Sequence, residues 1–153
     1  MLWIWTQTNT SIDSLMWLYE NKNFELGPDD LEDYQGFVYC ITELDTGKKY
    51  IGKKFFWKPK ILPVTKTRKR RVKTRIMSDW YTYTGSSVAV QKLIEQKGID
   101  NYHKEILRLC ISKGECSYYE AKLQFQYDVL LSDDYYNEFI GCKIHSKHVK
   151  IKL

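Results

Sequence analysis

The sequence predicts an α+β fold in which a small central sheet of three mostly antiparallel strands is flanked by helices. Two segments rich in aromatic and β-branched residues, 37–42 and 48–52, follow each other closely and predict a β-hairpin. A third such segment, 104–111, lies between two segments with helical spacing of apolar residues, 86–98 and 117–131. The chain has 153 residues, a length that suits one domain with a buried core.

Turn and cap residues support these elements. The hairpin turn is predicted at Asp45-Thr46-Gly47, where glycine can adopt a positive φ. Ser86-Ser87 offers N-caps for the first helix, and Gly98 is a stop signal. Ser117 and Glu120 match a capping box at the start of the second helix, so Glu120 has a structural interpretation besides any chemical one.

Composition divides the chain into three parts. Residues 1–34 are predicted to be an N-terminal extension that contains a short amphipathic helix over residues 11–20. Residues 35–141 form the main domain, and residues 142–153 form a basic C-terminal tail.

The segment 55–78 is not determined by its pattern. Pro59 and Pro63 argue against a long helix across residues 58–64. A helix that begins after Pro63 and a loop that becomes ordered on a partner both fit the sequence.

The charge is distributed unevenly. Residues 46–78 contain thirteen of the 24 Lys and Arg residues and no Asp or Glu, while the net charge of the whole chain is +5. The remainder is therefore acidic. A basic segment in an acidic chain indicates a polyanionic partner such as nucleic acid, because Lys and Arg displace counterions from phosphates. A solvated basic loop is the alternative.

Membrane and export signals are not expected. No apolar segment is long enough to span a bilayer, and the first residues lack the features of a secretory signal, so we expect a cytoplasmic protein with reduced thiols. Cysteines and histidines near the C-terminal end do not have a standard zinc-finger spacing, which favours buried thiols over a zinc site; these residues are Cys110, Cys116, Cys142, His145 and His148.

Two tyrosines face each other across the predicted hairpin. Tyr39 and Tyr50 are separated by ten residues and would lie on adjacent strands, as in an ordinary cross-strand aromatic pair. Gly52 would let a ligand approach the backbone, and the cations of Lys53 and Lys54 would favour ionisation of a nearby phenol. Packing and chemistry are both compatible with the pair.

These residues resemble a known signature. Phe37-Val38-Tyr39 followed by Tyr50-Ile51-Gly52 resembles the two halves of the GIY-YIG nuclease motif. The segment SSVAVQKLIEQKGIDNYHKEIL, then Glu120 on a helix and Asn137 in a loop, is similar to the later parts of that family. The resemblance covers roughly residues 36–140 and is closest to phage-encoded, free-standing homing-endonuclease-like members.

The resemblance implies a Mg²⁺-dependent (or Mn²⁺-dependent) DNA endonuclease with a role for each matching residue. Tyr50 would act as general base or orient the attacking water, and Tyr39 would support it. Glu120 would be the single carboxylate that holds the metal, and Asn137 would brace the site. One carboxylate leaves most Mg²⁺ positions for water and phosphate, which suits that ion.

One family residue is missing at its usual place. The family carries a catalytic arginine on a helix about ten residues after the second tyrosine, where this chain has Pro59-Lys60. Another cation must then serve, and the candidates are Lys53, Lys54, Arg70, Arg71, Lys73 and Arg75. Of these we predict Lys54 as the catalytic cation, with a second cation from Arg71 or Lys73.

The implied substrate is double-stranded DNA in a bacterial host cytoplasm, and a homodimer would allow both strands to be cut. The predicted DNA contacts are Lys53, Lys58, Lys60, Arg68, Arg70, Arg75, Trp80, Tyr83, Ser86 and Ser87.

The absence of the arginine also motivates a different class of protein. This alternative is a DNA-binding protein that retains the nuclease fold and is catalytically weak or inactive. A third interpretation is an RNA-binding module.

Overall fold

The computed structural model of the chain describes residues 16–149. In chain order its elements are β1 (Trp17–Tyr19), β2 (Lys22–Asn23), β3 (Gly36–Glu43), β4 (Lys49–Phe55), β5 (Trp57–Leu62), β6 (Val72–Met77), α1 (Val88–Lys97), β7 (Tyr102–Cys110) and α2 (Lys113–Gln126). Short 3₁₀ turns lie at Ile99–Asn101 and Ser146–His148.

The central sheet has five strands in the order β2-β1-β7-β3-β4. Three neighbouring strands of this sheet, β7-β3-β4, are antiparallel, which confirms the core of the prediction. The prediction of three strands is nevertheless not exact. Strand β1 adds to β7 in parallel, so the sheet is mixed, and β4 forms one of its edges.

The N-terminal addition to the sheet corrects the helix predicted over residues 11–20. Residues 17–19 form a strand, and residues 11–15 lie outside the described part of the chain. Trp17 aligns with Lys104 of β7, and its indole is fully buried against Phe37 and Tyr39. Tertiary pairing and aromatic packing therefore override the helical spacing of the local sequence. The division of the chain at residue 34 stays a prediction.

Strand β3 is paired on both sides, with β7 and β4, and both of its faces are buried. Phe37, Tyr39 and Ile41 belong to an aromatic-rich cluster on one face, which also receives Val90 of α1. Val38 and Cys40 belong to the cluster on the other face, against which α2 packs. The sheet thus carries one helix on each face, in agreement with the predicted α+β class.

The segment whose structure the sequence left open is a second, two-stranded sheet. Strands β5 and β6 pair along their whole lengths, from Trp57 with Met77 to Leu62 with Val72. Proline is tolerated at position 59 because β5 is paired on one side only. Its missing N–H group therefore does not remove a hydrogen bond to a second neighbouring strand.

The two helices meet their predictions unequally. Helix α1 is capped by the Ser87 side chain and ends at Gly98, as predicted. Helix α2 begins four residues earlier than predicted, because Ser112 is its N-cap and Glu115 accepts a hydrogen bond from the backbone of Ile111. Ser117 lies inside the helix, so the capping-box interpretation of Glu120 is wrong.

The C-terminal tail contributes little regular structure. Residues 142–149 contain only the second 3₁₀ turn, and residues 150–153 lie outside the described part of the chain. Among residues 16–149, no helix combines the length and the apolar character required to cross a membrane.

A buried lysine fastens the loop before α1 to the sheet. The Lys104 side chain on β7 donates hydrogen bonds to the carbonyl oxygens of Tyr81 (3.3 Å) and Tyr83 (3.2 Å). Its ammonium group also lies 4.5 Å from the centre of the Trp17 ring. Burial lowers the pKa of Lys104 to about 8. The loop that leads to Ser86 is therefore anchored on the sheet through its backbone.

A buried carboxylate ties together three elements at the other end of β3. Glu43 accepts hydrogen bonds from the Lys97 ammonium (2.7 Å), the Tyr136 hydroxyl and the Thr46 hydroxyl (2.7 Å). The Lys97 interaction, followed by that of Tyr136, lowers the pKa of Glu43 to about 2. The hairpin turn, the end of α1 and the loop after α2 are thereby held at one point.

Replacing this carboxylate should weaken the fold in a pH-dependent way. The pKa of Glu43 is lower in the folded chain than its ordinary value of 4.5, so its contribution is complete above pH 4.5 and is lost as the pH falls towards 2. Glu43→Gln should lower the free energy of unfolding at pH 7 by about 1–2 kcal/mol, the low value reflecting the partial exposure of Lys97.

Urea unfolding across this pH range measures the effect. Glu95→Gln, at an exposed position of α1, serves as the matched control and should leave the pH profile unchanged. Parallel profiles for the wild type and Glu43→Gln would contradict the assignment.

Candidate active site

A cavity of about 450 Å³ opens at the outer edge of β4. Tyr50 and Lys53 of β4 line it together with Glu120 of α2, and the start of α1 forms another wall. Side chains of Tyr50 and Lys53 point to opposite faces of the sheet. They reach one cavity because an edge strand is open on the side where both faces meet.

The edge of β4 is closed by side-chain amides. The Asn137 amide accepts a hydrogen bond from the Ile51 N–H (3.1 Å) and donates one to the Ile51 carbonyl (2.8 Å). Gln124 of α2 donates to the same carbonyl at 2.9 Å. Backbone bonds between Lys49 and the loop residues Asp134 and Tyr136 continue this closure. The helix and the loop are thus positioned against the backbone between Tyr50 and Lys53.

This clamp gives Asn137 a structural position. The side chain is 8% exposed, and both its oxygen and its nitrogen are used by Ile51. The resemblance implied that Asn137 braces the site, and its contacts are those of a brace.

Glu120 lies one helical turn before Gln124, so the clamp also sets its place. Its side chain is 15% exposed and forms an ion pair with the Lys53 ammonium. Lys53 was predicted to contact the DNA backbone, and Lys54 was predicted to be the catalytic cation. The structure instead brings Lys53 to the carboxylate.

Lys54 has partners outside the cavity. Its ammonium lies 2.7 Å from the Asp79 carboxylate and 3.9 Å from the centre of the Tyr83 ring. The hydrogen bond from Lys54 lowers the pKa of Asp79. Lys54 is not one of the described residues that line the cavity.

The Tyr50 phenol faces the cavity. Its hydroxyl is 2.9 Å from the Ser86 hydroxyl, and its ring is tilted against Tyr39 with 6.3 Å between ring centres. Burial raises the pKa of Tyr50, and the hydrogen bond with Ser86 opposes this only in part. The expectation that neighbouring lysines would ease its ionisation is therefore wrong, since desolvation is the larger effect.

Tyr39 is completely enclosed behind Tyr50. Burial raises its pKa well above the ordinary value, and its hydroxyl has no hydrogen-bond partner within residues 16–149. The phenol lies across Gly52, where an added Cβ would be 2.5 Å from the Tyr39 oxygen. Gly52 is thus required by the ring of Tyr39.

The N-terminus of α1 supplies the opposite wall. Ser86, Ser87, Val88 and Ala89 all line the cavity, and the first turn of the helix contains no acidic residue. The partial positive charge of a helix start makes this wall suited to an anion.

Other predicted residues lie elsewhere. Trp80 is 4% exposed and packs against Phe24 and Phe56, so the prediction that it contacts DNA is wrong for the structure as it stands. The remaining basic candidates lie in β5, in β6 or between them and do not line the cavity: Lys58, Lys60, Arg68, Arg70, Arg71, Lys73 and Arg75. Arg71 and Lys73 are therefore not brought to Glu120.

Several further cavity residues were missed by the sequence interpretation, Glu138 and Gly141 among them. Gln124, Tyr136 and Phe139 line the cavity, and Phe139 is 77% exposed. The position of Gln124, four residues after Glu120, places both on one helix face and was a usable signal. The side of Lys53 was also readable, because it shares strand parity with the buried Ile51.

The donor set fits a hard cation held by few protein ligands. No group of three or more His, Cys, Asp or Glu side chains able to hold a metal occurs in the described range 16–149. Cys110 and Cys116 are buried thiols, as predicted, while Cys142 is exposed. Two glutamates, Glu120 and Glu138, line the cavity together with the start of α1. Such a set is compatible with Mg²⁺ but not with structural zinc.

Comparison with known proteins gives one match. A family model described as "Putative endonuclease segE, GIY-YIG domain" matches residues 17–140. Neither the curated proteins nor the solved structures yield a match.

Substitution of Gly52 tests the close packing behind the site. Gly52→Ala would force its methyl group into the Tyr39 phenol and should lower the free energy of unfolding by about 1–3 kcal/mol. Gly141→Ala is the control, because an added Cβ there meets the Phe139 ring at an ordinary 3.7 Å. Denaturant unfolding measures both, and equal stability of the two variants would show that Tyr39 does not constrain Gly52.

Proposed function

The chain belongs to the GIY-YIG domain family of the segE type, and from this premise we propose that it is a divalent-metal-dependent DNA endonuclease. The observation that carries the proposal is the convergence of Tyr50, Lys53, Glu120 and the start of α1 on one cavity. Phosphodiester hydrolysis requires an oriented water, charge stabilisation on the phosphate and a cation near the leaving oxygen. Each requirement has a residue in this cavity.

The start of α1 is the proposed phosphate-binding wall. Ser87 caps the helix through its side chain, and Val88 and Ala89 border the cavity. Backbone N–H groups at a helix start bind phosphate oxygens without needing a charged side chain. This contact would fix the scissile group relative to Tyr50.

Tyr50 is proposed to orient the attacking water. Because burial raises its pKa, the phenol is neutral at pH 7 and acts through its hydroxyl as a hydrogen-bond partner. Ser86, at 2.9 Å, fixes the direction of that hydroxyl. Tyr39 supports the ring from behind. Orientation is thus favoured over proton abstraction by a phenolate.

Glu120 would hold the metal ion, Mg²⁺ or Mn²⁺. When bound there, such an ion supplies Lewis-acid stabilisation of the phosphate and a more acidic water. Its binding requires that Glu120 be released at least partly from Lys53. The freed ammonium of Lys53 would then be available to stabilise the leaving 3′ oxygen, with a 5′-phosphate as the other product.

Lys53 therefore takes the role proposed for the missing arginine. The strand β5 occupies the stretch where the family carries its arginine helix, so a cation from that stretch has no helix to present it. Lys53 is the lysine that contacts the carboxylate of the cavity.

The wider biological setting is part of the proposal and is supported by the resemblance to phage-encoded members of the family. We place the protein with the phage homing-endonuclease-like members, acting on double-stranded DNA in a bacterial host cytoplasm. Association into a homodimer would allow cleavage of both strands. The rival function remains a DNA-binding protein that has lost catalysis, for which the missing arginine is the motivating observation.

Plasmid nicking separates the enzyme from its rival. The wild type should nick supercoiled plasmid with Mg²⁺ or Mn²⁺ and not with EDTA. Glu120→Gln and Lys53→Met should each lower the rate by about 10²-fold or more, since each removes charge stabilisation from the transition state. Tyr50→Phe should cost about 10²-fold, and Tyr127→Phe, at an exposed position after α2, is its control.

The pH dependence tests the role of Tyr50. If the neutral phenol orients water, the rate should not rise with a tyrosine titration as the pH approaches the pKa of the phenol. Duplex binding without cleavage under any divalent ion would instead establish the rival function.

A further inference from the structure

The basic segment forms a projecting two-stranded ribbon. Strands β5 and β6 pair only with each other, and the loop 63–71 joins them. Between residues 57 and 77 the chain has nine Lys or Arg residues and no Asp or Glu. Its apolar side chains are also exposed, as at Ile61 (59%) and Val64 (57%). An isolated hairpin of this kind is marginal in water and suits a partner that covers it.

The two faces of the ribbon differ. Trp57, Arg75 and Met77 share one face, which is turned towards the body of the protein at its base. Arg75 stacks on the Trp57 ring at 4.2 Å and donates a hydrogen bond to the Glu32 carbonyl. Trp57 in turn donates to the carbonyl of Tyr34 at 3.0 Å. The orientation of the ribbon is therefore set from this face.

Within residues 16–149 the opposite face has no such anchoring contact, and its side chains are chemically mixed. It carries the cross-strand pairs Lys58 with Ile76, Lys60 with Thr74, and Leu62 with Val72. All of these except Leu62 are exposed. Lysine ammonium groups bind guanine O6 and N7, the threonine hydroxyl accepts or donates, and apolar groups contact the thymine methyl.

The dimensions match one groove of duplex DNA. Six residues in each strand give a ribbon about 20 Å long. A two-stranded ribbon fits the major groove, which is about 12 Å wide, and not the minor groove, which is about 6 Å wide. The loop bears Arg68, Arg70 and Arg71, which can reach phosphates on the groove walls.

We propose that this ribbon enters the major groove of duplex DNA and reads bases with the face of Lys60 and Thr74, while its loop contacts phosphates. The inference rests on the proposed function for the identity of the partner, and it assigns sequence readout to a segment inside the nuclease domain. On this proposal the basic segment recognises bases and does not only contact the phosphate backbone.

Groove-specific competitors test the proposal without cleavage. Binding of the full chain to a mixed-sequence fluorescent duplex is measured by anisotropy in EDTA. Methyl green, which occupies the major groove, should weaken binding about tenfold or more, while the minor-groove ligand netropsin should change it less than about twofold. Displacement by netropsin and not by methyl green would overturn the proposal.

A matched pair of lysines tests the assignment of faces. Lys60→Ala should change the base preference at one position of duplexes selected from a random pool. Lys73→Ala, on the other face one rung away, should weaken all duplexes alike and lower the salt slope of log Kobs by about 1. Uniform weakening by both variants would show that the ribbon only grips phosphates.

The readout is independent of catalysis. Both binding experiments are made in EDTA and do not depend on cleavage. If the ribbon reads the major groove but the protein does not cleave DNA, the endonuclease proposal is wrong and this inference stands. If the protein cleaves DNA but methyl green does not weaken its binding, this inference is wrong and the endonuclease proposal stands.

Discussion

The unpaired backbone of the edge strand β4 is the constraint on which the site depends. A sheet edge exposes N–H and C=O groups that must find partners. Here Ile51 is satisfied by side chains from α2 and from the loop that follows it. Because Tyr50 flanks Ile51, and Glu120 precedes Gln124 by one turn, closing this edge also assembles the cavity. The same hydrogen bonds thus complete the edge of the sheet and position the residues of the cavity.

Desolvation governs the chemistry that these residues can perform. Two tyrosines packed against each other, one of them wholly enclosed, resist ionisation even though lysines are close in sequence. The lysines are themselves engaged, Lys53 by Glu120 and Lys54 by Asp79. The cavity itself is lined by one lysine, Lys53, and by two glutamates, Glu120 and Glu138. Under the proposed function, a divalent cation at Glu120 and a phosphate beside Lys53 would together replace the ion pair that these two side chains now form.

The sequence predicted the elements that depend on local signals and missed those that depend on distant contacts. The hairpin β3–β4 and helix α1 carry their own turns and caps, and the family signature identified Tyr39, Tyr50 and Glu120. The strand nature of residues 17–19 could not be read locally, because it is imposed by pairing with β7. Lys54 was predicted as the catalytic cation, whereas the lysine that contacts Glu120 is Lys53. Strand parity distinguishes the two lysines only once the face occupied by α2 is known.

The base of the β5–β6 hairpin has a consequence for how such a protein can evolve. The chain leaves the central sheet at Phe56 and returns at Ser78, whose N–H donates to the Phe56 carbonyl at 2.7 Å and whose hydroxyl donates to the Phe55 carbonyl at 2.6 Å. The two ends of the hairpin are therefore held next to each other by hydrogen bonds. Insertions, deletions or exchanges beyond the anchoring residues Trp57, Arg75 and Met77 would leave the rest of the domain in place. If the hairpin reads DNA as proposed, exchange of the segment between these points would change the target preference while the residues of the cavity are inherited unchanged.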